Sequence, residues 1–103
     1  MSRDGHVIRG PHGSIRIPGD AISALVVTAA ERVDGARVRR PRRGLDVTVT
    51  AGRARVELEL AASYGAILPE VGRAVQASVA TALRASAGLD VEAVDISFAE
   101  LER

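Results

Sequence analysis

Apolar and polar positions alternate twice in the middle of the chain, and the two runs mirror each other across a glycine. Leu45, Val47, Val49 and Ala51 stand two apart, with Asp46, Thr48 and Thr50 between them. After Gly52-Arg53, the residues Ala54, Val56, Leu58 and Leu60 alternate with Arg55, Glu57 and Glu59. Successive strand side chains point to opposite faces, so each run predicts a strand with one apolar face. Taking Gly52-Arg53 as a two-residue hairpin turn, with Gly at the first central position, pairs Ala51 with Ala54, Val49 with Val56, Val47 with Leu58 and Leu45 with Leu60. A slip by one residue would send the apolar side chains to the polar face, so the register is well specified. The polar face carries Thr50/Arg55, Thr48/Glu57 and Asp46/Glu59, the last a like-charge pair that a nearby Arg would have to offset. That face is expected to meet solvent or a protein partner, with Thr48, Thr50, Arg55, Glu57 and Glu59 as candidate contacts.

Two longer segments repeat at three and four instead of two. Ile22, Leu25, Val26, Ala29, Ala30 and Val33 form one stripe of a helix. Asp20 suits its N-cap, since a carboxylate there can accept unpaired first-turn amides. Asp34-Gly35 closes it, with Gly35 suited to a left-handed terminal position. Val71, Val75, Val79 and Leu83 predict a second helix, with small residues Ala74, Ser78 and Ala82 beside them. Pro69 fits its first turn, where a missing amide hydrogen costs nothing, and Gly88 ends it. Short strands are expected at 14–17, stopped by Pro18-Gly19, and at 36–40, where Pro41 interrupts. A last strand runs through Val94, Ile96 and Phe98, with a bulge or loop near Ala93 because Leu89 and Val91 have the opposite parity.

The order read this way is β-α-β-β-β-α-β. Single apolar stripes on the helices and a single apolar face on the hairpin are satisfied together by an α+β two-layer sandwich, a mixed sheet with two helices packed on one face. Residues 1–12 show no period and are read as a flexible lead-in. Residues 13–103 are read as one domain, which is what a chain of 103 residues allows.

Composition narrows the chemistry. Tyr64 and Phe98 are the only aromatics, so the core must be aliphatic. The absence of Cys removes disulfides, thiolate metal sites and thiol nucleophiles. No apolar run approaches the ~18 residues of a membrane span. The N-terminus lacks the apolar stretch of a signal peptide. The chain is therefore expected to be cytoplasmic.

Net charge is +1, but it is unevenly spread. From Arg37 to Arg55 there are seven Arg and one acid, and from Asp90 to Arg103 five acids and one Arg. Such a dipolar chain can attract an anionic partner or another copy of itself. The sharpest feature is Arg37, Arg39, Arg40, Arg42 and Arg43 around Pro41. Arg forks bind phosphates, and the proline keeps the segment from becoming helical. A solvated loop, an acidic protein or self-contact, and a membrane or nucleic-acid contact all remain open for it. No aromatic is interleaved there to stack bases.

The chain resembles the alkaline shock protein, or envelope stress response, family of Gram-positive bacteria. The resemblance rests on Gly13-Ser14-Ile15-Arg16-Ile17, Val33-Asp34-Gly35-Ala36, Val47-Thr48-Val49, Val56-Glu57-Leu58-Glu59-Leu60, Tyr64-Gly65, Val75-Gln76, Gly88-Leu89-Asp90-Val91 and Val94-Asp95-Ile96. It covers roughly residues 13–98. It implies a non-enzymatic cytoplasmic scaffold of cell-envelope homeostasis that self-associates and docks, peripherally at the membrane, on a membrane-anchored partner. It carries over no catalytic or binding residue. The alternative is a nucleic-acid-associated module that holds phosphates through residues 37–43.

Other candidates are weak as sites, and no cofactor or metal is expected. His6 and His12 lie in the lead-in with too few companion ligands for a metal. Glu57 and Glu59 share one strand face but are expected to be exposed, so nothing tunes them for acid–base work. Gly10-Pro11-His12-Gly13 precedes a strand and lacks the Lys-Ser/Thr of a phosphate loop. The Tyr64 ring is expected to cover the edge of the core. Gln76, rotated ~100° from Val75 on the helix, is expected to satisfy a backbone group between helix and sheet.

Overall fold

One long strand organises the molecule. In a computed structural model, which describes residues 5–39 and 44–102, β5 (Arg53–Ser63) lies at the centre of the main sheet. Ala54, Val56, Leu58 and Leu60 along it are buried and the residues between them are not, as their alternation predicts. β4 (Leu45–Thr50) pairs antiparallel with its first half and β3 (Ala36–Val38) with its last residues, both on one edge. β6 (Asp90–Glu102) pairs parallel on the other edge, so the sheet is mixed. Helices α1 (Gly19–Glu31) and α2 (Leu68–Ala87) pack on each other and over the apolar face. The fold is the expected α+β two-layer sandwich.

The core is aliphatic throughout. Ile22 and Val26 of α1, Val75, Val79 and Leu83 of α2, Leu60 of β5 and Leu89 are all fully buried. Each such side chain contributes about 1.5–3 kcal/mol by leaving water. The helices also share polar ties to the backbone. Ser78 Oγ donates to the Ala29 carbonyl at 2.7 Å, joining α2 to α1. Gln76 Nε2 donates to the Val94 carbonyl at 3.0 Å, joining α2 to β6 as expected of it.

Several local expectations are corrected. The hairpin turn is Ala51-Gly52, not Gly52-Arg53, and both residues have positive φ, 51° and 76°. That is the backbone of a type I′ turn, whose twist matches the strands it joins. The register therefore moves by two: Leu45 faces Leu58, Val47 faces Val56, Val49 faces Ala54 and Thr50 faces Arg53. A two-residue shift preserves parity, so the apolar face is unchanged and only its partners are exchanged.

The cap of α1 is Pro18, and Asp20 lies in the first turn. Its C-cap is Arg32, with Gly35 (φ 85°) in the turn beyond. Gly88 ends α2 in the left-handed region as expected, its amide and that of Leu89 returning to the Arg84 and Leu83 carbonyls. The irregularity expected near Ala93 is a bulge at the neighbouring Glu92, and a second follows at Ala99. Tyr64 does not cover the core edge but is 65% exposed.

The described residues also include a strand the periodicity does not reveal. His6–Gly10, within the segment read as lead-in, forms β1 and pairs antiparallel with β2 (Gly13–Ile17). The order is thus β-β-α-β-β-β-α-β. This hairpin is a sheet of its own, an arm separate from the main sheet.

Candidate interaction surface

The face of the sheet away from the helices is assembled from three strands. Parity turns Asp46 and Thr48 of β4, Arg55, Glu57 and Glu59 of β5, and Asp95 and Ser97 of β6 outward. Cross-strand register sets them in rows. Thr48 lies beside Arg55, which lies beside Ala93, and Asp46 lies beside Glu57, which lies beside Asp95. The like-charge pair expected for Asp46 is therefore real, but its partner is Glu57 and not Glu59. Arg55 is one source of compensation, its Nη1 standing 3.5 Å from the Asp95 carboxylate.

Arg39 and Gly44 meet Glu59 at the end of these rows. Val38 pairs with Leu60 and Leu45 pairs with Leu58, so Arg39 and Gly44 both stand at Glu59. The Arg39 amide donates to the Glu59 carbonyl at 3.0 Å, and the Glu59 amide donates to the Gly44 carbonyl at 2.7 Å. A Cβ on Gly44 would collide with the Arg39 carbonyl oxygen, so only glycine fits this closure. Below it, Gly44, Asp46, Glu57, Glu59, Asp95 and Ser97 line a shallow depression of about 290 Å³.

Both described arginines of the 37–43 cluster are engaged by acids. Arg39 Nη1 donates to Glu59 Oε1 at 2.8 Å, with both side chains about two-fifths exposed. Arg37 pairs with Glu102 across β5, from β3 to the end of β6. Ion pairs this exposed add at most about 1 kcal/mol, so they orient the side chains more than they hold the fold. Arg40, Arg42 and Arg43 lie outside the described residues.

The structure thus gathers Thr48, Arg55, Glu57 and Glu59 with Arg39, while Arg37 sits further along at the far end of β5. Thr50 lies beside Arg53 near the hairpin turn. Asp95 and Ser97 belong to this surface too, although sequence reasoning does not assign them to it. The Val94-Ile96-Phe98 alternation turns them outward, but nothing local says that β6 lies against β5. Among the described residues no group of three or more His, Cys, Asp or Glu side chains is arranged to hold a metal ion. No described helix is long and apolar enough to cross a membrane.

The fold is shared with solved structures of MamM CTD. A MamM CTD variant aligns with TM-score 0.63 and 25% identity over 79% of this chain and 93% of that one. A nickel form aligns with TM-score 0.63 and 24% identity over 79% and 96%. A copper form aligns with TM-score 0.62 and 24% identity over 79% and 95%. No curated protein sequence matches the chain. The model of the alkaline shock protein family, described by its cell envelope-related function, matches residues 8–102.

Proposed function

The chain belongs to the alkaline shock protein family, and from that family's cell envelope-related function we propose that it works there as a non-catalytic scaffold, self-associating and docking on a membrane-anchored protein. The outer sheet face carries this reading. It is banded in charge, uncovered by either helix, and joined to the base of the Arg-rich segment through Arg39 and Glu59. Charge bands of this kind select a partner and fix its register more than they supply raw affinity. The partner's contact surface is accordingly polar, with cations placed for the row Asp46, Glu57 and Asp95. The solved structures related in fold are of MamM CTD, which is compatible with a module that serves a larger assembly.

The test is crosslinking in cells from a photoreactive residue at Thr48, read by mass spectrometry with and without nuclease. Recovery of one membrane protein irrespective of nuclease, lost when Glu57 and Asp95 are both changed to Arg, is the expected result. Recovery of ribosomal or nucleoid proteins that disappears with nuclease overturns the scaffold reading in favour of phosphate binding at residues 37–43. Light scattering at low and high salt tests self-association, and a monomer under all conditions removes it.

A further inference from the structure

The β1–β2 arm is the part of the molecule that the fold leaves unexplained. Its strands pair with each other and with no other described strand. A two-stranded hairpin alone is marginal in water. The arm nevertheless has a sorted surface. Ile8 and Ile15 face each other across the ladder and share one face, while Arg9 and Arg16 lie on the other with Val7 and Ser14. Ile15 is 62% exposed, and Val7 and Ile8 are 37% exposed. Within its own chain the arm reaches the C-terminal turn of α2, where Ile8 Cδ1 stands 3.8 Å from the place a Cβ on Gly88 would take.

β6 presents the matching half. It is an edge strand: among the described residues it pairs along one side only, with β5. At 13 residues it is the longest of the described strands, and unpaired amides and carbonyls on such an edge are a template for a further strand. Its inner side shows Ile96 and Phe98, both half-buried, beside a groove of about 400 Å³ against α2 that is also lined by Leu68, Gly72, Arg73 and Gln76. Its outer side shows Asp95. Charge separates the two segments cleanly. Residues 5–19 contain Arg9 and Arg16 and no acid, while residues 90–102 contain five acids and no Arg.

We infer that the arm of one copy adds as a strand pair to the free edge of β6 on a second copy, with Ile8 and Ile15 against Ile96 and Phe98 and with Arg9 and Arg16 beside Asp95 and Glu92. The inference rests on the self-association proposed above and names the surfaces that make it. Both faces match in a single orientation: once the apolar side of the arm continues the helix-covered face, parity places its arginines on the acidic outer face. Five-residue strands span roughly 17 Å and β6 spans roughly 43 Å, so the edge is long enough to seat the arm fully. Main-chain bonds supply adhesion in this mode and the alternating side chains supply specificity. Donor and acceptor lie on different parts of the chain, so every copy both gives an arm and offers an edge.

The experiment is a charge exchange, followed by light scattering over a range of concentrations. Arg9→Glu/Arg16→Glu and Glu92→Arg/Asp95→Arg are each expected to weaken association about tenfold or more. An equimolar mixture of the two variants is expected to restore it, because one copy's reversed arm again meets the other's reversed edge. Thermal unfolding of each variant within a few degrees of the parent shows that the fold is kept. An arm variant that associates like the parent overturns the inference and leaves self-association standing. A parent that is monomeric throughout overturns both. Arm-dependent binding to vesicles of anionic lipid, with association unaffected by the arm charges, assigns the arm to a lipid surface and overturns the inference as well.

Discussion

The body of the domain and the arm are built from the same residue types, yet they are held by different means. Along β5 the inward side chains are buried in the core shared with α1 and α2, and Leu60, Val56 and Ala54 have no exposure. In β1 and β2 none of the ten residues is buried, although isoleucines face one another there just as valines do in β4 and β5. Cross-strand pairs add only about 0.2–1 kcal/mol each, while burial adds several times that per side chain. Alternation of apolar and polar residues is thus a condition for a strand and not a source of stability by itself. What stabilises a strand is whatever covers its apolar face. In the body that cover is α1 and α2, and for the arm it must come from outside the main sheet.

The largest break in this comparison comes from the body. Leu83→Ala empties a fully buried site and is expected to cost about 2–5 kcal/mol, seen as a lower midpoint in urea unfolding. Gln76→Ala removes the bond to the Val94 carbonyl and is expected to cost about 1 kcal/mol. Amide exchange at residues 94–98 should rise with it, since that bond ties β6 to α2. Ala51→Asn acts in the opposite direction. Ala51 holds φ 51°, a region that costs most L-residues about 1–2 kcal/mol and that Asn tolerates better. A gain of about 0.5–1 kcal/mol is expected, and an unchanged unfolding midpoint would show that the turn is not strained as described. The smallest effect belongs to the arm. Ile15→Ala in dilute solution is expected to change stability by less than about 0.5 kcal/mol, whereas a cost comparable to that of Leu83→Ala would mean that the arm is part of the core.

Much of the body is legible without the structure. The helix stripes of Ile22-Val26-Ala29 and Val71-Val75-Val79-Leu83, the alternation through β4 and β5, the turn at Gly88 and the role of Gln76 follow from local spacing. The candidate surface is half legible: Thr48, Arg55, Glu57 and Glu59 face outward as expected, but Asp95 and Ser97 join them through β6. The arginines can be seen as a cluster, though not that Arg39 and Gly44 both bond to the backbone of Glu59. The hairpin turn falls one residue earlier than expected because Gly52 suits both the first central position of one turn and the second of another. Strand parity, which is the same in both registers, does not separate them.

The sequence by itself determined which way the side chains of β4, β5, α1 and α2 point, because periods of two and of three to four are properties of the local backbone. It also determined an aliphatic core, a chain without thiols, and a basic middle opposed to an acidic end. Only the tertiary structure decided which strands lie together. The parallel pairing of β6 with β5 depends on α2 crossing the sheet between them and joins residues far apart in the chain. That pairing, and not any local pattern, sets three carboxylates in one row on the outer face. It also leaves the acidic strand as an edge, since the helices that seal the sheet's face leave its last row of amides and carbonyls open.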